Sequence, residues 1–559
     1  MRQQQVPEPE VVDAVGGTDP AAVPSALELT ASLALVLAQG NAVGREAKIL
    51  AAELIRIGLG RSELEPKRGD GRFRDTAWQS NPVYHRVEQS YLAACRTTDN
   101  LVDSLDEKDW AHAEKARFLM GILTSTVAPT NLLFGNPAAL KRAFDTGGTS
   151  LAKGFAHWIS DVRHHGGMPS TAKPGVLKVG EHLAVSPGAV VSRDDVAEII
   201  QYTPTTKKVH ERPTLIIPPP IGRFYFLDLA PGRSFTEYTV SRGIQTFLVS
   251  WRNPTKDQAD WSIDTYAQRI LSAIDEVREV TGSADVNIIG FCAGGILSTI
   301  VLNHLAARGD KRVHAASYAV TLLDWAGKNP IAAFQTSTLL SFAKWGSRRK
   351  GVIDATTMGS AFIWMRPNDL VWNYWVNNYL LGQDPPVFDI LSWNADGTNL
   401  PAKLHAQFLD IFGENSMVSP GALEYLGTPV DLSTIDVPTF VMGAVNDHLT
   451  PWRGTYRTTE LTTGPTTFVL SNAGHIAALV NPPGSPKASY FVGAGEGTVD
   501  ADTWRKAAEQ KSGSWWQEWA DWTISYSGVK VSAPKTLGGA EQPVLTDAPG
   551  LYVRDQLPS

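Results

Sequence analysis

The chain has 559 residues, 43% of them hydrophobic and 19% charged, a balance that buries a large core and excludes a disordered or fibrous protein. Its formal net charge is -7 with no long Lys/Arg block, so there is no basis for a nucleic-acid surface, and an acidic substrate would need a local basic patch. The two cysteines, Cys95 and Cys292, lie far apart without CxxC or His-rich company, which argues against a disulfide framework or a zinc site and fits a reducing cytoplasm.

Met1 to Ala14 is polar, with Glu8, Glu10 and Asp13 and no apolar core of a secretory signal, so the protein is expected to stay inside the cell. Residues 1–24 are expected to be a disordered tail. The apolar stretch Leu27 to Ala38 is broken by Glu28, Thr30 and Ser32 and is shorter than the roughly 20 residues that span a bilayer; it reads as a soluble helix. From there to about Arg163, apolar residues recur at three- and four-residue spacing in LELTASLALVLAQG, AKILAAELIRIGLG, HRVEQSYLAACRTTDNLVDSL and DWAHAEKARFLMGILTS, and this predicts an all-helical N-terminal domain over 25–180. It contains no Ser, His and acid pairing that reads as a site.

Beyond HHGGMPSTAKPG the pattern changes to short β-branched runs separated by helices, the mark of parallel βαβ units. Strands are expected at 213–220, 245–251, 316–323, 439–445 and 466–471, with a strand running into a Gly turn over 285–295 and a helix at 264–282. This catalytic domain is placed at 181–530 and followed by a polar tail, 531–559. Between about 324 and 432 the strand rhythm stops in a segment rich in Trp, Asn and Pro. A structureless loop of that length is improbable in a compact domain, so a folded cap over the active edge of the sheet is expected.

Gly290-Phe291-Cys292-Ala293-Gly294 follows an apolar strand and precedes the helical run GILSTIVLNHLAA, the context of the nucleophile elbow of an α/β-hydrolase fold. Small neighbours let the Cys292 side chain stand exposed on a sharp turn, and the helix N-terminus beside it favours thiolate. In that fold the acid and the histidine follow the nucleophile on loops after late strands. TFVMGAVNDHLTPW offers Asp447 and TTFVLSNAGHIAALVNPP offers His475; Asp324, after an earlier strand, is the competing acid, and His448 is a further residue expected to line the site. The oxyanion donors expected of the fold are the Ala293 N–H and one from PPPIGRFYF, at Ile221 or Gly222. Trp515, Trp519 and Trp522 fall on one helical face and read as core.

Long strings resemble one family, the polyhydroxyalkanoate synthases: NPVYHRVEQSYLA, APTNLLFGNPAALKRAFDTGG, FLVSWRNPTKDQADW, WMRPNDLVWNYWVNNYLLGQDPPVFDIL and LSNAGHIAALVNPPGSPKA, over roughly residues 65–530. The resemblance places the family's Cys, Asp and His on Cys292, Asp447 and His475. It implies polymerisation of (R)-3-hydroxyacyl-CoA thioesters into a growing polyester with release of CoA, through an acyl thioester on Cys292. It further implies a cytoplasmic homodimer at the surface of polyester granules, a closing cap, and no metal or bound organic cofactor. The strings are closer to the medium-chain, class II type than to class I, although Gly222 and the residues around Cys292 depart from the usual forms. Two other readings share these features: a Cys-dependent hydrolase of esters or stored polyester, and an idle granule-coat scaffold.

Overall fold

The computed structural model describes residues 39–106, 110–173, 175–327, 337–495 and 497–557; the tail 1–24 and the helix expected at 27–38 lie outside the described residues. The N-terminal part is helical, with α1 (Gly40–Gly58), α2 (Pro82–Asp106), α3 (Trp110–Thr126), α4 (Pro137–Asp145) and α5 (Thr149–His164). Asn136 caps α4 by accepting the Ala139 N–H at 3.1 Å, with Pro137 opening the helix, the preferred chemistry for a helix start.

The main sheet has eleven strands: β1 (Gly188–Arg193), β2 (Ala197–Tyr202), β3 (Thr214–Ile217), β4 (Thr246–Trp251), β5 (Val286–Phe291), β6 (Val313–Ala319), β7 (Thr439–Ala444), β8 (Thr466–Ser471), β9 (Ser489–Ala494), β10 (Glu509–Ser512) and β11 (Thr546–Asp547). Their spatial order is β10-β9-β8-β7-β6-β5-β3-β4-β2-β1-β11. The six from β4 to β8 through β3, β5, β6 and β7 run parallel, and the outer strands pair antiparallel. This is the mostly parallel layered sheet expected from the βαβ pattern. The segment from 531 onward, read in sequence as a polar tail, packs onto the sheet through β11, and Tyr552 and Val553 are buried.

Alternate residues of each parallel strand serve opposite faces. Leu215, Ile217, Phe247, Val249 and Val441 face the core under helices Ile263–Thr281 (α6) and Ala293–Ala307 (α7). Ile216, Leu248, Phe440 and Met442 face the other core, with Phe235, Phe291, Trp515 and Trp519. Trp515 and Trp519 are buried and Trp522 partly so, and the Trp519 Nε1–H donates to Ser317 Oγ at 3.0 Å; the tryptophan stripe is core.

Among the described residues, the insertion between β6 and β7 is largely helical, with α8 (Ser337–Lys350), α9 (Ala355–Met365) and α10 (Ala402–Glu414). Two wide, π-type turns, Asn368–Trp372 and Trp375–Leu380, link α9 to the rest. The N-terminal helices grip this link. Tyr379 Oη–H donates to Asp161 at 2.8 Å, Trp375 Nε1–H to the Asn131 carbonyl at 3.1 Å, and Arg72 to Asn368 at 3.1 Å. At Gly154 the backbones of α5 and the cap touch, since a Cβ there would lie 1.9 Å from the Tyr379 carbonyl oxygen.

Candidate active site

Three loops at the C-terminal edge of the parallel strands bring the chemistry together, the edge at which sheets of this kind bind ligands. Cys292 ends β5 and opens α7 with φ 50° and ψ -121°, a left-handed conformation that costs a non-glycine residue about 1–3 kcal/mol. Its surroundings enforce it. The Cys292 N–H is held by the Ala319 carbonyl at 2.9 Å, and the Cys292 carbonyl accepts the Gly295 N–H at 2.9 Å. The turn is so tight that a Cβ on Gly290 would lie 2.5 Å from Gly295 Cα, and one on Gly294 2.3 Å from the Ile217 carbonyl oxygen. The sulfur is thus presented at the top of the sheet, half-buried.

Asp447 follows β7 in a loop closed by its own carboxylate. Oδ1 accepts the Leu449 N–H at 2.8 Å and the Thr450 N–H at 2.9 Å, and Oδ2 accepts the Thr450 hydroxyl at 2.7 Å. His475 opens the short helix Val480 closes (α11, His475–Val480), directly after β8. His475 Nδ1–H donates to Asp447 Oδ2 at 2.7 Å, with both side chains almost wholly shielded from solvent, 3% and 0% exposed. The Cys292 sulfur lies near enough to the same imidazole to act on its charge. The three residues predicted from sequence are therefore brought together, with the sulfur near the imidazole and the imidazole bonded to the carboxylate.

The electrostatics follow from this pairing. Burial works against a charged imidazole, but the Asp447 carboxylate, its hydrogen bond and the Cys292 sulfur outweigh it and hold His475 at about 10. Burial likewise works to raise the Asp447 carboxyl, but the imidazolium and the Thr450 donors keep it below the ordinary carboxylate value. Such a site favours the imidazolium form of His475. The other cysteine, Cys95 on α2, has its thiol pushed up by burial.

His448 lines a cavity of 630 Å³ together with residues of α3 and of the cap. Burial, and then the neighbouring positive charges of His475 and Arg366, outweigh the attraction of Asp447 and push it down to about 4, so it is neutral near pH 7. Asp324, the competing acid, is committed elsewhere: it pairs with Arg457 at 2.8 Å and accepts from Asn415 Nδ2 at 3.0 Å and the Ala326 N–H at 2.8 Å. Gly222 is removed as an oxyanion donor, because its N–H is given to Thr398 Oγ1 at 2.8 Å. Its φ of +85°, and the Trp393 ring 3.1 Å from where a Cβ would stand, account for glycine there. Ala293 occupies the first position of α7, and Ile221 lies partly buried against the core.

Sequence reasoning missed Thr450, which shares Asp447 with His475, and Thr321, whose hydroxyl donates to the Cys292 carbonyl at 3.2 Å. The first was readable: an Asp whose carboxylate captures the N–H groups two and three residues on is an Asx turn, and Thr450 stands at its third position. Thr321 carries no local signal.

Comparison with known proteins bears on the whole chain. The family model "Poly-beta-hydroxybutyrate polymerase (PhaC) N-terminus" matches residues 69–239 and the model of the alpha/beta hydrolase fold matches 234–482. The chain is 43% identical over 504 residues to poly(3-hydroxyalkanoate) polymerase 1 of Ectopseudomonas oleovorans, covering 90% of each. It is 36% identical to the poly(3-hydroxyalkanoate) polymerase subunit PhaC of Cupriavidus necator, over 89% of this chain and 85% of that one. Among solved structures, a Paleococcus ferrophilus monoacylglycerol lipase aligns at 13% identity with a TM-score of 0.33, over 59% of this chain and 99% of that one.

Proposed function

As a member of the poly(3-hydroxyalkanoate) polymerase family the chain is a polymerising acyltransferase, and we propose that it works through an acyl thioester on Cys292 with His475 as base and Asp447 as orienting acid. The observation that carries this is the buried His475–Asp447 pair at 2.7 Å with the Cys292 sulfur near the same imidazole. His475 holds the thiol proton while the thiolate sulfur attacks the thioester carbonyl of an (R)-3-hydroxyacyl-CoA. The carbon–sulfur bond to CoA breaks, and the proton leaves with it as CoA thiol. Thioester replaces thioester at little free-energy cost, which keeps the acyl group activated.

In the second half, His475 takes the proton of the 3-hydroxyl of an incoming 3-hydroxyacyl-CoA. The oxygen attacks the acyl carbon on Cys292, an ester bond forms, and the Cys292 thiolate leaves and regains the proton. The extended chain, still a CoA thioester, then reacylates Cys292 with release of CoA. That His475 rather than Asp447 activates the hydroxyl is supported by the carboxylate's occupation: both its oxygens already accept from His475, Thr450 and Leu449. The Ala293 and Ile221 N–H groups are proposed as oxyanion donors. Neither metal nor organic cofactor has a step to perform.

We also propose a cytoplasmic homodimer acting at the surface of polyester granules. Its support is the apolar exposure of the N-terminal helices and their loops, where Ile55, Leu59, Phe134, Phe144 and Phe155 are all more than half exposed; large apolar exposure of this kind marks a contact surface. Sedimentation with amorphous polyester granules, compared with Phe134→Ser/Phe144→Ser protein, tests it.

The test of the chemistry is CoA thiol release from (R)-3-hydroxyacyl-CoA with the product sized. Polymer is expected from the wild type, and Cys292→Ala is expected to make none while keeping its far-ultraviolet circular dichroism. Polymer from Cys292→Ala would end the mechanism; free acid from the wild type would point to hydrolysis.

A further inference from the structure

Residues 218–227 follow β3, and both ends of this loop touch the nucleophile elbow. At one end, a Cβ on Gly294 would lie 2.7 Å from the Pro218 carbonyl oxygen. At the other, the Phe226 ring meets that of Phe291, the residue before Cys292, edge to face at 6.1 Å. Between these ends the backbone is fastened from the cap. The Thr398 hydroxyl donates to the Pro220 carbonyl at 3.4 Å and accepts the Gly222 N–H at 2.8 Å, and the Trp393 Nε1–H donates to the Arg223 carbonyl at 2.7 Å. The Ile221 N–H, inside this fastened stretch, is given to no acceptor among the described residues.

The Arg223 side chain adds a further fastening, and it is buried. Its guanidinium joins two carboxylates from different parts of the chain. Nε–H donates to Asp396 of the cap at 3.3 Å, while Nη1–H and Nη2–H donate to the two Asp555 oxygens at 3.1 and 2.5 Å. Nη1–H also reaches the Tyr552 carbonyl at 3.2 Å. Forked donors of this kind fix the orientation of a carboxylate as well as its distance. The C-terminal segment does not need Asp555 to stay on the sheet, because β11 pairs with β1 and Glu198 accepts the Leu551 and Tyr552 N–H groups at 3.0 Å. Asp555 is left to hold Arg223.

We propose that Arg223 is a positioning residue for acyl transfer: held between Asp396 and Asp555, it sets the loop that presents the Ile221 N–H to the oxyanion, and so couples the cap and the C-terminal segment to catalysis. This rests on the reading of the Ile221 N–H as an oxyanion donor. The oxyanion forms only as the thiolate attacks the thioester carbonyl, so a displaced donor lowers kcat and leaves substrate binding nearly untouched. Alkylation by iodoacetamide displaces iodide at a saturated carbon and needs no such donor.

Arg223→Met, Arg223→Lys and Asp555→Ala, made in the full chain, test it with two readouts: kcat and KM for CoA release from (R)-3-hydroxyacyl-CoA, and alkylation of Cys292 by iodoacetamide, followed on the peptide that carries it. Arg223→Met is expected to lower kcat by about tenfold to a hundredfold with KM within about threefold of the wild type. Arg223→Lys, which keeps the charge and loses the fork, should fall between the two. Asp555 is half exposed, so Asp555→Ala is expected to leave the fold intact and to lower kcat by about three- to tenfold. Alkylation should stay at the wild-type rate in all three. Wild-type kcat in Arg223→Met overturns the assignment, and so does a matching loss of alkylation, which would place the effect on the elbow as a whole. Wild-type kcat in Asp555→Ala overturns the part given to the C-terminal segment. Ile221→Pro, which lacks the N–H, isolates the premise: wild-type kcat in that variant overturns the donor reading, so the two failures are distinguishable.

Discussion

Replacing Asp447 by Asn tests how much of the chemistry rests on one buried charge. Asn is nearly isosteric, and its Oδ1 still accepts the Leu449 and Thr450 N–H groups that shape the loop. Thr450 can turn its hydroxyl from donating to Oδ2 to accepting from the new amide, so the fold is retained. What disappears is the charge facing His475 Nδ1 at 2.7 Å. With the carboxylate present, His475 is held at about 10 against its ordinary 6.5, a preference for the imidazolium worth about 5 kcal/mol. Without it burial acts unopposed, and the imidazole becomes neutral and poorly oriented. The expected loss in kcat/KM for CoA release is about a thousandfold to ten-thousandfold. Iodoacetamide alkylation of Cys292 at neutral pH should slow in parallel, since the imidazole that takes up the thiol proton is no longer held in place. Activity within about tenfold of the wild type would refute the reasoning, because the pair would then be structural.

His448 gives a pH-dependent counterpart. Its folded value of about 4 lies below the ordinary 6.5, so between these values the unfolded chain binds the extra proton and stability is lost as pH falls. At pH 5 the loss is about 2 kcal/mol relative to pH 7; His448→Gln should remove that much of the pH dependence in urea unfolding, and an unchanged dependence would count against the burial argument. Gly154→Ala would push a methyl group into the Tyr379 carbonyl, and overpacking of this kind costs about 1–3 kcal/mol. The expected outcome is a lower thermal midpoint together with faster proteolysis in the 368–382 link. Trp519→Ala should destabilise by about 3–5 kcal/mol in denaturant titration, whereas Trp519→Phe should cost far less, having kept the ring against Phe235 and lost only the bond to Ser317. Dialysis against a chelator is expected to leave CoA release unchanged.

The parts of the fold legible in the sequence are those whose periodicity has one cause. β7 is buried throughout and β8 nearly so, so both read as short β-branched and apolar runs, and the loops after them display Asp447 and His475 at once. The outer strands were not legible. Ala197–Tyr202 is fully buried although it contains Glu198 and Gln201; Glu198 is kept there by Arg193 at 2.6 Å and by the Leu551 and Tyr552 N–H groups. The Leu551 and Tyr552 donors come from the far end of the chain, and no local window contains them. The triad was readable because a strand end is a local feature, while Gly222 and Thr398 meet across 176 residues.

The elbow explains why the nucleophile can be both exposed and fixed. A left-handed Cys292 would relax if either flank were loose, by rotating its sulfur into the turn. It is prevented on every side: the Ala319 carbonyl holds its N–H, Thr321 and Gly295 donate to its carbonyl, and the helix behind it abuts the backbone at Ile217. The stored strain of about 1–3 kcal/mol is small beside the packing of β5 and α7, so the packing sustains it. On the proposed mechanism Cys292 is acylated repeatedly by chains of growing length and needs this property, because the attacking hydroxyl must find the acyl carbon in one place while the remainder of the polymer moves.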